Sequence, residues 1–238
     1  MEAKKRLIFP LDAPDGKQAR QLIRLLQNEV GLFKVGLELF VAEGPQFFRT
    51  MAAEAGTDFF LDLKFHDIPE TMSRALKNLF SGVALTTIHC DQGARLLRAV
   101  QETQDRGINV LGVTVLTSID GKDLLAAGID PRYANPPREL VLLRAGLAKA
   151  AGCSGVVCSG QEAQVVKERF GSDFIVVCPG IRPEWSVAPE DDQKRIMTPS
   201  EAIKAGADYI VVGRPIRLAA DSVAAARMVV AEIAAALQ

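Results

Sequence analysis

Eight short runs of apolar and β-branched residues, separated by longer stretches of helical periodicity, constrain the fold of this chain more than any other feature. The runs fall at residues 7–9, 32–36, 59–64, 84–89, 110–116, 155–158, 174–178 and 209–213. They are nearly continuous in apolar residues, which is typical of strands buried on both faces of a parallel sheet. Repeated strand–helix units build such sheets. Eight of them predict an α/β fold, a closed (β/α)8 TIM barrel.

The length of the chain agrees with one barrel. Its 238 residues are close to the roughly 250 that a (β/α)8 barrel needs, and we expect residues 1–238 to form a single catalytic domain. A doubly wound open sheet is the alternative, but the glycine-rich loop of dinucleotide-binding sheets does not follow the first run. Two long connections, residues 117–137 and 180–199, follow predicted strands and are candidate lids.

Charge and cysteine content argue against several classes of protein. A net charge of -1 gives no bulk field that would attract nucleic acid or an anionic membrane. No apolar run approaches the roughly 20 residues of a membrane-spanning helix, and the charged start, broken by Pro10, is unlike a signal peptide. Cys90, Cys153, Cys158 and Cys178 form no C-x-x-C pair. We therefore expect no metal site, and reduced thiols in a cytoplasmic protein.

Charged and hydroxyl residues recur at the ends of the predicted strands. They are Asp12, Lys34, Asp62, Lys64, Asp67, His89, Thr117, Arg182 and Arg214. The carboxyl ends of barrel strands converge on one face, where barrel enzymes carry their active sites. Asp62 and Lys64 are two residues apart and so share a face of the strand. A purely structural role would explain one such ion pair. Two lysines and three aspartates at the same end of the barrel favour an active site instead.

Gly213 and Arg214 fit a phosphate site after the eighth strand. A glycine lets backbone N–H groups approach an anion, and an arginine adds charge-assisted hydrogen bonds. Barrels often bind phosphate at the loops after strands 7 and 8. A turn glycine followed by a surface arginine is the alternative. We predict no acid–base role for His66, and a position behind the site for His89.

Five stretches of the sequence resemble bacterial orotidine 5′-phosphate decarboxylases. They are DLKFHDIP at 62–69, VTVLTS at 113–118, PGIRP at 179–183, RIMTP at 195–199 and VGRP at 212–215. The resemblance covers nearly the whole chain and implies a TIM barrel of the ribulose-phosphate-binding kind. The D-x-K-x-x-D core is shared with related barrels. A metal-dependent sugar-phosphate decarboxylase or aldolase therefore remains an alternative, as does a non-enzymatic phosphate-binding barrel.

The resemblance implies a function. It implies decarboxylation of orotidine 5′-phosphate to uridine 5′-phosphate, the last step of de novo UMP biosynthesis, by a homodimer whose active site is shared across the interface. It implies that Lys64 donates a proton to carbon 6 of the pyrimidine and that Asp62 lies beside the substrate carboxylate. Lys34 and Asp12 would bind the ribose side and complete an alternating array of charges.

The resemblance also implies roles for the remaining residues. Asp67, Ile68 and Thr71 would reach the site of the neighbouring subunit, and Thr117 and Ser118 would lie near the pyrimidine. Gln193, Gly213, Arg214 and Arg182 would hold the phosphate and close the lid. We expect no cofactor and no metal ion, because a fixed ammonium beside the developing carbanion stabilises its charge and can then deliver a proton.

Overall fold

The computed structural model describes residues 2–92, 95, 97–104, 106–186 and 196–238. Eight parallel strands pair in chain order, and the last pairs with the first, which closes the sheet into a barrel. The strands are β1 (Leu7–Pro10), β2 (Leu32–Val35), β3 (Phe59–Phe65), β4 (Val83–His89), β5 (Asn109–Val113), β6 (Gly155–Val157), β7 (Ile175–Cys178) and β8 (Tyr209–Val211). Each predicted run contributes one strand, and the predicted fold class is confirmed.

Helices follow the strands and cover the outside of the barrel. They are α1 (Gly16–Leu26), α2 (Leu37–Ala55), α3 (Pro69–Lys77), α4 (Leu97–Gln104), α5 (Gly121–Ala126), α6 (Pro131–Ala134), α7 (Arg138–Ala150), α8 (Gly160–Phe170), α9 (Pro199–Lys204), α10 (Arg214–Arg217) and α11 (Ser222–Ala236). Side chains of Asp15, Ser159 and Asp221 accept hydrogen bonds from the first turns of α1, α8 and α11. These contacts satisfy amides that have no partner within the helix. None of the helices in the described ranges is long and apolar enough to span a bilayer.

Apolar side chains form two layers. The layer inside the barrel contains Ile8, Leu32, Phe60, Leu85, Leu111, Val177 and Val211, and a larger layer lies between the strands and the helices. Successive side chains of a strand point to opposite faces. The residues two places after Leu32 and Phe60 therefore also point inwards, at the carboxyl end. These residues are Lys34 and Asp62. The alternation of side chains along β2 and β3 therefore places charged groups at the carboxyl end of the barrel interior.

The fifth strand is shorter than its apolar run. β5 ends at Val113 although the run continues to Leu116. Its neighbour β6 ends at Val157, whose carbonyl accepts hydrogen bonds from the amide of Thr114 at 3.3 Å and from its hydroxyl at 2.8 Å. The register between β5 and β6 ends at Val113 and Val157, and the chain then leaves the sheet. The connection at 117–137, predicted as a long loop, contains the short helices α5 and α6.

Candidate active site

A cavity of about 220 Å³ lies at the carboxyl end of the barrel. Its floor is apolar and includes Phe60, Val113, Val157 and Val211, which come from four different strands. Five of the residues predicted to form the site line it, namely Lys34, Asp62, Lys64, Thr117 and Ser118. The cavity therefore combines an apolar floor with charged and hydroxyl groups, as small-molecule sites commonly do.

Four charged side chains form an alternating array beside this cavity. The Lys64 ammonium lies 2.8 Å from Oδ2 of Asp62, and Nζ of Lys34 lies 3.7 Å from the same oxygen. Nζ of Lys34 also lies 3.9 Å from Oδ1 of Asp12. The Asp62 side chain is only 11% exposed, and two cations compensate the cost of burying its charge. The structure thus brings together Asp12, Lys34, Asp62 and Lys64.

β3 carries an irregularity where Asp62 and Lys64 lie. Leu61 pairs with Thr86 and Phe65 pairs with Ile88, so three residues of β3 stand opposite one residue of β4, Thr87. Lys64 has a φ of 50°, and it is the only non-glycine residue in the described part of the chain with a positive φ. A backbone of this kind costs about 1–3 kcal/mol and persists only where its surroundings hold it.

Thr87 contacts both charged residues of β3 that line the cavity. Its buried hydroxyl donates to Oδ1 of Asp62 at 2.9 Å and accepts from the amide of Lys64 at 2.9 Å. Sequence reasoning missed Thr87. The signal that could have found it is its place on β4, two residues before His89 and so on the same face of the strand.

Three of the four residues predicted to bind phosphate, Arg182, Gly213 and Arg214, follow β7 and β8. Gly213 precedes α10, which begins at the half-buried Arg214. A Cβ on Gly213 would stand 2.7 Å from Cγ of Pro10, so only glycine fits where β8 passes the end of β1. Arg182 is buried, and its amide donates to the carbonyl of Met197 at 2.9 Å. Gln193 lies outside the described residues.

Asp67, Ile68 and Thr71 are not brought into this cavity. All three are exposed, and none is among the described residues that line it. The amide of Ile68 donates to Oδ1 of Asp67 at 2.6 Å, and the side chain of Gln92 donates to the Asp67 carbonyl at 2.8 Å. The loop that carries Asp67 is therefore held by the segment that follows β4, with its carboxylate outside the cavity of its own chain.

The two histidines, distant in sequence, lie together beside this loop. The ring centroids of His66 and His89 are 4.9 Å apart, and Nε2 of His66 lies 3.2 Å from Oδ1 of Asp91. Burial, followed by the neighbouring His66, lowers the pKa of His89 from its ordinary value. Neither ring is among the described residues that line the cavity.

The four cysteines are free and buried. Burial raises the pKa of the thiols of Cys90 and Cys153 to about 12. A thiolate is the reactive form of cysteine, so these two side chains behave as apolar core residues. In the described part of the chain, no three His, Cys, Asp or Glu side chains form a group suited to a metal ion.

Comparison with known proteins shows the family to which this chain is similar. Residues 5–229 match the family described as Orotidine 5′-phosphate decarboxylase / HUMPS family. The chain is 47% identical to the orotidine 5′-phosphate decarboxylase of Desulfosudis oleivorans over 99% of its own length and 95% of that protein. It is 46% identical to that of Anaeromyxobacter dehalogenans, over 97% and 99%. The crystal structure of the Lactobacillus acidophilus orotidine 5′-phosphate decarboxylase is similar with a TM-score of 0.80 at 34% identity, covering 95% of this chain and 98% of that one.

Proposed function

The chain belongs to the orotidine 5′-phosphate decarboxylase / HUMPS family, and we propose that it decarboxylates orotidine 5′-phosphate to uridine 5′-phosphate without cofactor or metal ion. This reaction is the last step of de novo UMP biosynthesis. The observation that carries the proposal is the array of Asp12, Lys34, Asp62 and Lys64 beside an apolar cavity. It supports the proposal because a fixed ammonium beside this cavity would stabilise the negative charge that develops on a bound pyrimidine.

Lys64 is the proton donor in this proposal. The bond between carbon 6 and the carboxylate breaks, carbon dioxide leaves, and the electron pair stays on carbon 6. The ammonium of Lys64 stabilises this carbanion and then transfers a proton to it. Its contact with Asp62 at 2.8 Å orients the ammonium. Solvent returns the proton to the resulting amine.

The lining of the cavity accounts for binding of the nucleoside. Thr117 and Ser118 offer hydroxyl groups to the polar edge of the pyrimidine. Lys34 and Asp12 lie on the β1–β2 side of the array and serve the ribose hydroxyls. The cavity of about 220 Å³ is smaller than the roughly 300–1,000 Å³ that enclose a drug-sized ligand. It therefore suits the ring, while the ribose phosphate extends towards the ends of β7 and β8.

The phosphate is assigned to Arg214, Gly213, Arg182 and Gln193. Arg214 and Gly213 support this assignment because they begin α10 beside the end of β1, and the guanidinium of an arginine can bind two phosphate oxygens at once. The phosphate is remote from the bond that breaks. Its binding energy can therefore be used to orient the substrate and to close the site.

We further propose a homodimer with shared active sites. Asp67, Ile68 and Thr71 lie outside the cavity of their own chain, so they are available to the cavity of a partner. Apolar side chains are also exposed on this chain: Ile68 is 65% exposed, and Leu37 and Val41 of α2 are 57% and 80% exposed. Where such side chains form one contiguous patch, they mark a protein–protein interface, so these residues are candidates for the surface between subunits. Asp67 would then complete the array of the partner.

Two broader assignments accompany this proposal. Residues 1–238 form a single catalytic domain, since the barrel uses strands from both ends of the chain and β1 pairs with β8. The enzyme works in the cytoplasm, where its four free cysteines remain reduced.

A spectrophotometric assay of the pure protein with orotidine 5′-phosphate tests the function. We expect loss of the substrate absorbance and formation of uridine 5′-phosphate at an equal rate before and after treatment with a chelator. A rate that disappears with the metal and returns with magnesium would point instead to the metal-dependent sugar-phosphate chemistry of related barrels. Absence of turnover by a folded protein would refute the proposal.

A further inference from the structure

We infer that Thr87 is a positioning residue for the decarboxylation, because its hydroxyl holds the Asp62 carboxylate and the Lys64 backbone in one arrangement. The expected effect on turnover rests on the proposed function. The expected effect on the arrangement of Asp62 and Lys64 rests on the hydrogen-bond geometry alone. In the described ranges the buried hydroxyls of Thr86, Thr103 and Thr114 donate to backbone carbonyls, whereas that of Thr87 contacts two members of the charged array.

The bulge in β3 explains why a side chain is needed at this point. Thr87 alone stands opposite residues 62–64 of β3, so the backbone ladder cannot pair every amide of that segment. A buried amide without a partner is unfavourable. The Thr87 hydroxyl takes the place of a ladder carbonyl and accepts from the amide of Lys64 at 2.9 Å. It thereby supports the left-handed backbone of Lys64, whose φ is 50°.

The same hydroxyl has one proton to donate, and it donates this proton to Oδ1 of Asp62 at 2.9 Å. Oδ2 of Asp62 is then left to face the ammonium groups of Lys64 and Lys34 at 2.8 and 3.7 Å. Each oxygen of the carboxylate therefore has a separate partner, and the carboxylate cannot rotate without losing one of them. Thr87 thus links the backbone that carries Lys64 to the carboxylate that its ammonium contacts.

Thr86 provides a matched control. It is adjacent on β4, it is also fully buried, and its hydroxyl donates to the carbonyl of Leu61 at 3.0 Å. Replacing either threonine by valine keeps the shape and removes one buried hydroxyl. Only Thr87→Val removes a contact to Asp62 and Lys64. A loss of activity caused by general damage to β4 would therefore appear in both variants.

The experiment compares kcat and KM for wild type, Thr87→Val, Thr87→Ser and Thr86→Val. We expect Thr87→Val to lower kcat by roughly 100-fold with little change in KM, because small misplacements of reacting groups cost factors of this size. Thr87→Ser keeps the hydroxyl and should retain most of the wild-type kcat, as should Thr86→Val. Equal kcat in the two valine variants, in the presence of wild-type turnover, would overturn the inference.

Crystal structures of the two valine variants give a readout that does not depend on turnover. We expect Thr87→Val to lose the contact between Lys64 Nζ and Asp62 Oδ2, which is 2.8 Å in the wild type, and Thr86→Val to keep it. An unchanged contact and an unchanged Lys64 backbone in Thr87→Val would contradict the inference, even if the chain proved inactive on orotidine 5′-phosphate. Absence of wild-type turnover would refute the proposed function alone.

Discussion

At the scale of single residues, Lys64 combines two unfavourable features, a left-handed backbone and a charge at the edge of an apolar barrel. Its φ is 50°, and its side chain is 32% exposed. A non-glycine residue in this backbone region is strained, and such residues cluster at functional sites. Asp62 and Thr87 compensate both features through the ion pair and the amide hydrogen bond. A strained backbone at a charged residue of the cavity supports the role proposed for Lys64.

Replacing Lys64 separates catalysis from strain. Lys64→Ala and Lys64→Gly should both reduce decarboxylation to background, because each removes the ammonium that we propose as proton donor and as the cation beside the carbanion. Lys64→Gly should be more stable than Lys64→Ala by about 1 kcal/mol, since glycine adopts a positive φ without a clash. Urea unfolding measures the difference, and circular dichroism checks that both variants fold. Near-normal turnover in either variant would refute the role of Lys64.

At the scale of elements, β4 and the segment after it support the carboxyl end of β3 and the residue that follows it. Thr87 contacts Asp62 and Lys64, His89 packs against His66, and Asp91 pairs with His66. Thr87 and His89 are two residues apart and so lie on one face of β4, and Asp91 follows the end of that strand. The segment after Lys64 is therefore held by β4 and by the residues that follow β4. These contacts fix the loop that carries Asp67.

Stability should depend on pH through His89. Burial lowers its folded pKa below the unfolded value of about 6.5, so unfolding takes up a proton between those two pKa values. The free energy of unfolding should therefore fall as pH falls below about 6.5, and the loss should end below the folded pKa. His89→Asn should show a shallower fall. Urea unfolding from about pH 8 to about pH 5 measures the free energy of unfolding of both proteins. The two curves of free energy against pH should be parallel above about pH 7. Curves that are also parallel at lower pH would contradict the prediction.

The junction of β8 and α10 should determine affinity for the phosphate. Arg214→Ala should raise KM roughly 10- to 100-fold, since a charge-assisted hydrogen bond is worth about 1.5–3 kcal/mol. Arg217→Ala is the matched control, because Arg217 ends the same helix and is exposed. Orotidine, which lacks the phosphate, tests the cause. If Arg214→Ala impairs turnover of the nucleoside as much as that of the nucleotide, Arg214 is not a phosphate ligand.

At the scale of the whole molecule, one chain holds most of the proposed site but leaves part of it facing outwards. Lys34, Asp62 and Lys64 line the cavity, whereas Asp67, Ile68 and Thr71 are exposed beside it. A two-fold dimer has an isologous interface, in which each subunit offers the same surface to the other. One such interface would therefore bring Asp67, Ile68 and Thr71 of each subunit to the cavity of the other subunit.

Mixing two inactive variants tests the shared site. In a mixed dimer of Lys64→Ala and Asp67→Ala, one site carries both lesions, and the other takes its lysine from one chain and its aspartate from the other. Random pairing should restore about a quarter of the wild-type activity. If Asp67 serves its own subunit, every site keeps one lesion and mixing restores nothing. Subunit exchange demonstrated by mass, without a gain in activity, would therefore exclude the shared site.

The sequence by itself determined the class of fold and the end of the barrel where charge collects. Eight apolar runs are enough for this, because buried parallel strands are apolar on both faces and a period of two sets which residues share a face. Asp62 and Lys64 could be paired on that ground, and the structure places them 2.8 Å apart. The motifs around Lys64, Arg182 and Arg214 also indicate the family without reference to the fold, because each is a contiguous stretch of the chain.

The tertiary structure alone decided which residues from distant parts of the chain meet. The bulge at residues 62–64, the positive φ of Lys64 and the two contacts of Thr87 depend on the register between β3 and β4. The proximity of His66 to His89 depends on the pairing of β3 with β4, and the need for glycine at position 213 beside Pro10 depends on closure of the barrel between β8 and β1. A sequence pattern reports local periodicity, whereas register and closure result from packing summed over the whole sheet, so no single segment encodes them.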